Sequence, residues 1–490
     1  MYGLKPAFVL LFITVLSTGA LHLRPKPNVV IILADDLGYG ELGSYGQQKI
    51  KTPHLDRLAA RGMRFTQYYS GNTVCAPSRC VLLTGKHTGH ADIRDNYEMG
   101  GFADADERGQ LPMQASQYTL AQLMKTNGYR TAVIGKWGLG MPGKEGDPRD
   151  AGFDFFYGYA CQKQAHNYYP SHLWKNNRWD SLRNGYFSPH QRYTHQDQPL
   201  TGHYVSDHYT GPDYAPDLMQ REALEFVGQG NQPFFLYYTL PMPHLGIQVP
   251  LEELEAYPDF PDTPYLGDRQ YLPHHRPRAA YASMISRLDR EVGILMDALA
   301  QSGKEKNTII LFMSDNGATP PGTGGADTRF FKSNGMLRGY KMDLYEGGIR
   351  VPCIVSWPGK IKPGTVNSTL FAAWDWLPTL ADLIGLPLKA ESLDGLSIKK
   401  ALFKNQTLDP ERHLYWEYSS FGGSRAIRKG DWKLIWFSKN NTGQLYNLKN
   451  DPGEQIDLSA SNIPKRNELY ALMKTARLPA RIPAWNKYGQ

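Results

Sequence analysis

An α/β architecture is expected: a large, mostly parallel sheet sandwiched by helices, with a small C-terminal α+β subdomain containing an antiparallel sheet. Three observations predict it. Residues 28–34 (NVVIILA) and 308–313 (TIILFM) are apolar without alternation, as central strands covered on both faces are. Strand-like and helix-like segments alternate between them, the mark of a parallel sheet flanked by helices. Beyond about residue 400 the texture changes to short β-like pieces.

A chain of 490 residues can bury a large core, and one large domain over residues 27–400 with a smaller one over 401–490 is the natural division. Apolar content of 41% excludes a disordered chain, and a net charge of +7 is spread over 54 basic and 47 acidic residues with no basic block. That pattern argues against nucleic acid and for a solvated surface mildly attractive to anions. In residues 1–20, Lys5 precedes an apolar run over 7–16 and the small residues Ser17, Thr18, Gly19 and Ala20. The run is short for a span, so a secretory signal is expected, a periplasmic or secreted location, and no stable membrane insertion.

The elements follow in order. The run 28–34 ends in Asp35-Asp36, two carboxylates where open α/β sheets place their ligands. Thr52-Pro53 starts a helix through Leu55, Leu58 and Ala59 that stops at Gly62, with proline early and glycine late. Leu120, Leu123 and Met124 mark another helix ending at Gly128, and residues 129–134 read as a strand running into Gly135-Lys136-Trp137-Gly138. Residues 150–215 are aromatic- and histidine-rich without clear periodicity; Gln162, His166, Asn167, Tyr168 and Tyr169 cluster there. Long irregular segments are often binding loops, so Gln162 and His166 are candidate substrate-binding residues; rings folded over a loop core are the competing explanation.

Residues 233–240 form the next strand, followed by Pro241-Met242-Pro243-His244, and Ile285, Leu288, Val292, Leu295 and Leu299 step by three and four along a helix. It leads to the strand 308–313, which ends in Ser314-Asp315-Asn316-Gly317. A glycine-rich loop over 317–348 carries Lys341, and residues 350–357 are a further strand. The C-terminal β-like pieces start at residues 414, 425, 432 and 445, and a last helix runs through Leu469, Leu472 and Met473.

Two features carry chemistry. Asp35, Asp36, Asp315 and Asn316 sit at the ends of two predicted strands, and an all-oxygen set suits a hard cation better than zinc. In residues 73–85 (TVCAPSRCVLLTG), Pro77 turns the chain after Cys75. If a helix starts at Ala76, Cys75 lies at its positive end and Arg79 returns beside it one turn later. A buried structural cysteine in a turn fits those residues as well.

Cys75-Ala76-Pro77-Ser78-Arg79 resembles the signature of the type I sulfatases, arylsulfatase-like members of the alkaline phosphatase superfamily, and the likeness extends over roughly residues 27–480. The resemblance implies that Cys75 is oxidised to formylglycine by a maturase acting on the unfolded chain, leaving Cys80, Cys161 and Cys353 for at most one disulfide. It also implies that Asp35, Asp36, Asp315 and Asn316, with the modified Cys75, hold Ca²⁺ in preference to Mg²⁺. By the same likeness Cys75, Arg79, Lys136, His244 and Lys341 are catalytic: a diol hydroxyl attacks sulfur, Asp315 biases the diol proton, and His244 or Lys341 protonates the leaving oxygen. The implied substrate is a sulfated carbohydrate, with aryl sulfates also within reach.

One position departs from the pattern. The family reads Gly-Lys-Trp-His-Leu-Gly where this chain has Gly138, so the base for sulfate release is missing and His166 is the candidate to replace it. The same departure keeps two alternatives open: a phosphoester or phosphonate hydrolase of this fold, and a sulfoglycan-binding protein with poor turnover.

Overall fold

The uninterrupted apolar runs lie side by side at the centre of one sheet. The computed structural model describes residues 2–3, 26–195, 197–388, 393–404, 406, 408–409 and 411–487; apart from residues 2 and 3, the signal-like segment 1–20 lies outside them. Ten strands run, from one edge to the other, Thr365–Asn367, Met63–Phe65, Cys353–Ser356, Thr308–Ser314, Asn28–Ala34, Phe234–Thr239, Arg130–Lys136, Phe155–Tyr159, His172–Lys175 and Arg178–Ser181. The five from Thr308–Ser314 to Phe155–Tyr159 are mutually parallel, while the hairpin at one edge and Cys353–Ser356 near the other are antiparallel to their neighbours. The sheet is mostly parallel, as expected.

Lack of alternation in the central strand has a direct structural reading. Val29, Ile31 and Leu33 enter one core with the helices Cys75–Thr84, Leu120–Thr126 and Trp376–Ile384. Val30, Ile32 and Ala34 enter the other with Pro53–Arg61, Ala215–Gly228 and Pro277–Gln301. Both faces are covered, so every position is apolar, and each fully buried aliphatic side chain is worth about 1.5–3 kcal/mol relative to exposure.

A second, four-stranded antiparallel sheet comprises His413–Tyr418, Ser424–Lys429, Trp432–Phe437 and Thr442–Asn447, and the helix Ile463–Thr475 packs on one face. Its other face sends Leu414, Trp416, Tyr418 and Ala426 into the core of the large sheet. Residues 150–215 are more regular than expected: they hold three strands of the large sheet and the helix Gly202–Tyr209. Short strands of four or five residues at a sheet edge leave too little periodicity to read. All four cysteines are buried and unpaired. No helix among the described residues is long and apolar enough to cross a membrane.

Candidate functional site

Parallel strands end on a common edge, and that edge gathers the predicted residues. Ala34 pairs with Ser314, so Asp35 and Asp315 leave adjacent strands together, and the Asp315 N–H donates to Ala34 O (3.0 Å). Asp36 adopts a left-handed backbone (φ 67°) and its N–H donates to Asp315 Oδ1 (3.1 Å); aspartate tolerates that region better than most residues. Lys136 is the last residue of its strand, and His244 follows the end of Phe234–Thr239 by a short turn.

The signature forms the helix Cys75–Thr84, buried along its whole length, with Gly85 closing it at φ 68°. Its first turn lacks a side-chain cap from Val74, but the Ala76 N–H donates to Asn96 Oδ1 (3.0 Å). One turn into the helix, Arg79 donates from Nε and Nη2 to Asp315 Oδ2 (3.1 and 2.8 Å) and from Nη1 to Lys136 O (2.7 Å). Lys341 reaches the same place because its turn is bonded to the residues before Cys75: the Met342 N–H donates to Thr73 O and Thr73 Oγ1 donates to Asp343 O.

Three cations therefore face three carboxylates in a dry centre. Lys136 Nζ lies 2.6 Å from Asp35 Oδ2, and Lys341 Nζ lies 2.7 Å from Asp36 Oδ1. Cys75 Sγ is 3.4 Å from both Asp35 Oδ1 and Lys341 Nζ. Burial, opposed by Lys136 and His244, leaves Asp35 well below the usual carboxylate range. Asp315 is pushed up to about 7, by burial and then by Asp35, in spite of Arg79.

The donor set fits a hard divalent cation. Asn316 donates from Nδ2 to Asp36 Oδ1 (2.7 Å), yet its own Oδ1 is buried without any hydrogen-bond partner. An orphaned amide oxygen beside three crowded carboxylates is a costly arrangement that a bound cation would relieve. Asp35, Asp36, Asp315 and Asn316 would supply the oxygens, and their chemistry favours Ca²⁺ or Mg²⁺ over softer metals.

Cys75 does not behave as a thiolate nucleophile. It stands at a helix N-terminus near two lysines, which lowers a thiol, but burial followed by Asp35 wins and pushes it up to about 12. At neutral pH the unmodified side chain is an inert thiol. The atom in its place has an acceptor on one side and an ammonium donor on the other, the surroundings a hydroxyl-bearing group derived from Cys75 would use.

His244 and His166 stack with ring centroids 4.8 Å apart. His244 Nδ1 lies 2.5 Å from Leu245 O, so it donates there and presents Nε2 to the centre, 3.7 Å from Asp36 Oδ2. His166 Nδ1 lies 2.9 Å from His190 Nε2. Burial, with His244 and His190 beside it, holds His166 well below its ordinary range, so it is neutral. Gln162 is buried with its amide against Gly138, and a Cβ added at Gly138 would fall 2.8 Å from Gln162 Cγ and Nε2. The space of the family's histidine is thus taken up by Gln162, which is a buried neighbour of position 138. Tyr168 and Tyr169 are buried, and the Tyr168 hydroxyl lies 2.7 Å from the carbonyls of Pro241 and His244, so Tyr168 anchors the His244 turn as a ring folded into the loop core.

Several site residues were not anticipated. Thr319 Oγ1 donates to Asp36 Oδ2 (3.0 Å), Asn96 caps the signature helix, and Tyr271 and His190 form the wall beside His166. None stands in a spacing pattern that marks it. A second cluster, His87, His90 and Asp394, has ligand-like composition. There the Gly89 N–H donates to His87 Nδ1, and Asp394 accepts from the His87 N–H and faces His90 Nδ1 at 2.8 Å. These bonds tie the chain after the signature helix to Asp394.

With this geometry in place, comparison with known proteins is decisive at the level of family. The model of the family described as Sulfatase matches residues 27–386, and that described as N-sulphoglucosamine sulphohydrolase, C-terminal, matches residues 340–478. Arylsulfatase A of Bos taurus is 31% identical over 529 residues, covering 97% of this chain and 92% of that protein. N-acetylgalactosamine-6-sulfatase of Canis lupus familiaris is 28% identical, covering 91% and 79%. Among solved structures, Ps i-CgsB in complex with k-i-k-neocarrahexaose superposes with a TM-score of 0.75 at 27% identity, over 95% of this chain and 94% of that one. The phosphonate monoester hydrolase of Agrobacterium radiobacter shares the fold (TM-score 0.63, 20% identity). The chain belongs to the sulfatase family. It is, in class, a sulfuric ester hydrolase of the arylsulfatase-like kind.

Proposed function

We propose that the protein removes sulfate from a sulfated carbohydrate at the centre around Cys75. One observation carries this: three carboxylates, an orphaned amide oxygen and three cations from five separate segments converge on that side chain. Sulfate ester hydrolysis needs anionic oxygens neutralised, a nucleophile presented and the leaving oxygen protonated. Calcium, ahead of magnesium, held by Asp35, Asp36, Asp315 and Asn316, would supply Lewis acidity toward the ester oxygens. Cys75, converted to formylglycine by a maturase, would supply a hydroxyl nucleophile.

The rest is done by the chain itself. Arg79 is held in one orientation by Asp315 and Lys136 O, and with Lys136 it sets a fixed positive field that needs no reorganisation during reaction. Lys341 Nζ, 3.4 Å from Cys75 Sγ, is the donor nearest the reacting atom and protonates the leaving oxygen, with His244 Nε2 as the alternative. His166, neutral and packed on His244, accepts the proton when sulfate is released, the role left open at Gly138. Gln162 shapes the floor beneath it. An exported protein, periplasmic or secreted, would meet such polymers. The ligand named in the Ps i-CgsB complex and the name of N-acetylgalactosamine-6-sulfatase both favour a carbohydrate ester.

The test is kinetic. Protein co-expressed with a maturase should hydrolyse 4-nitrophenyl sulfate far faster than 4-nitrophenyl phosphate, and Cys75→Ala should lose at least about 10⁴-fold in turnover. A preference for phosphate would move the protein to the phosphoester branch. A panel of singly sulfated monosaccharides then identifies the sugar and the ester position.

A further inference from the structure

Beside the imidazole wall lies a hollow of about 600 Å³, whose lining includes His190, Arg192, Arg269 and Thr323, with Asp268 as its one carboxylate. A second hollow of about 400 Å³ shares Asp268 and Arg269 and adds Arg329 and Asp327, the latter already paired with Arg278. We propose that this basic hollow is a subsite for a second anionic group, a sulfate or a carboxylate, on the same saccharide whose ester is cleaved at Cys75. It rests on the sulfated-carbohydrate function above and extends it to a multiply charged chain.

The charge is unspent. Several surface arginines elsewhere are paired with a carboxylate, among them Arg57 with Asp297, Arg61 with Glu305, Arg278 with Asp327 and Arg290 with Glu253. Among the described residues Arg192, Arg269 and Arg329 have no carboxylate partner, and Arg192 reaches only the carbonyl of Asp268 (3.4 Å). Guanidinium groups held without partners in a concave site are suited to sulfate or carboxylate, which they bind bidentately.

The frame is built to hold them. Tyr265 and His274 exchange backbone hydrogen bonds of 2.9 Å, closing the loop that carries Arg269 and Tyr271, and the Arg269 N–H donates to the Tyr265 hydroxyl (3.1 Å). The Tyr193 N–H donates to Leu266 O, joining this loop to the one bearing Arg192. Gly267 permits that junction: at φ 74° its added Cβ would fall 2.6 Å from Gln191 O. Gln270 and Tyr271 both take positive φ (67° and 65°), a cost that non-glycine residues bear where the surroundings demand a particular placement.

A chain of packed rings links the hollow to the reactive centre. His190 stacks on Phe102 (4.0 Å) and packs on Tyr271 (4.5 Å), it contacts His166 at 2.9 Å, and His166 stacks on His244. A sugar chain leaving the centre along that wall would present its next charged substituent to Arg192 and Arg269.

Inhibition of 4-nitrophenyl sulfate hydrolysis tests this, because the small ester does not extend to the hollow. Three probes are used: a carrageenan-type hexasaccharide bearing only sulfates, an oligogalacturonate hexamer bearing only carboxylates, and neutral maltohexaose. The subsite predicts competitive inhibition by at least one anionic probe, and none by maltohexaose; the probe that works names the anion. The double variant Arg192→Ala/Arg269→Ala should need about tenfold or more of that probe, with the kinetics on 4-nitrophenyl sulfate unchanged and the inhibition in wild type weakening with salt. Equal inhibition of wild type and variant, or no inhibition by either anionic probe, overturns the proposal. If wild type hydrolyses no sulfate ester, the parent function has failed, and calorimetric titration of the same probes into both proteins still decides the subsite.

Discussion

Gly138 and Gln162 show how much can turn on a single residue. Gly138 has φ 71°, and any side chain there would meet Gln162. Restoring the family's residue with Gly138→His should therefore destabilise the protein, by about 1–3 kcal/mol from strain and overpacking. Adding Gln162→Ala should recover part of that, with a coupling of about 0.5–3 kcal/mol between two residues in contact; thermal melts of the four proteins measure it. Independent, additive effects would mean that Gln162 does not fill the histidine's place. His166→Ala should lower steady-state turnover by roughly 10²–10⁴-fold while sparing the first turnover, because the group acts at release; rapid-mixing kinetics separate the two. Unchanged turnover would remove His166 from the reaction. Asp35, Asp36, Lys136, Asp315 and Asn316 stood out because they lie at strand ends, and Cys75 and Arg79 because they lie in the signature, whereas Lys341 comes from a glycine-rich loop. Thr319, Asn96 and Tyr271 were not, since a hydrogen bond to a distant carboxylate or helix end leaves no periodicity in the chain. Gln162 stood out only as part of an aromatic segment, and packing alone shows that it abuts Gly138.

At the scale of elements, the turn that carries Lys341 depends on a buried ionic cluster some residues later. Glu346 Oε1 lies 2.9 Å from Lys433 Nζ, which lies 3.0 Å from Glu454, and the Glu346 N–H donates to Glu454 Oε2 (2.6 Å). These contacts join the Lys341 turn to the small sheet in the dry interior. Removing one charge of such a cluster strands the others, so Glu346→Ala should cost about 3–5 kcal/mol; chemical denaturation checks it. Burial raises Glu346, but Lys433, Arg428 and Arg350 outweigh it and hold the carboxyl down at about 2. A carboxylate held below its unfolded value stabilises the fold above that unfolded value and loses its contribution as pH falls. Wild-type melting temperature should thus decline from about pH 5 towards pH 2, and Glu346→Gln should flatten that decline; parallel slopes for both proteins would contradict this. Central strands were readable from their unbroken apolar runs. The edge strands over 150–215 were not, because four-residue strands at an edge carry almost no pattern.

For the whole molecule, the change of texture near residue 400 identifies a second sheet but says nothing of how tightly it is joined. Leu414, Trp416 and Tyr418 are buried in the core of the large sheet, and Glu417 pairs with Arg94 (3.1 Å) near the signature helix. A fragment ending at residue 400 would expose that apolar surface, so it should be insoluble or aggregate when expressed alone; a soluble, folded fragment would show two independent domains. Calcium binding to a site that exists only in the folded chain should stabilise it by about 2.7 kcal/mol at a hundredfold excess over Kd, read as a melting temperature that rises with calcium concentration. A chelator should reverse that shift and abolish turnover together.

The central claim is that Cys75, a buried thiol in the unprocessed chain, works only after conversion to an aldehyde. Peptide mass spectrometry across residues 73–85 of protein produced with and without a formylglycine-generating maturase measures it most directly. The prediction is an aldehyde at Cys75 in the first sample, an intact thiol in the second, and sulfate ester turnover in proportion to the aldehyde fraction. Equal turnover by protein whose Cys75 remains entirely a thiol would contradict it.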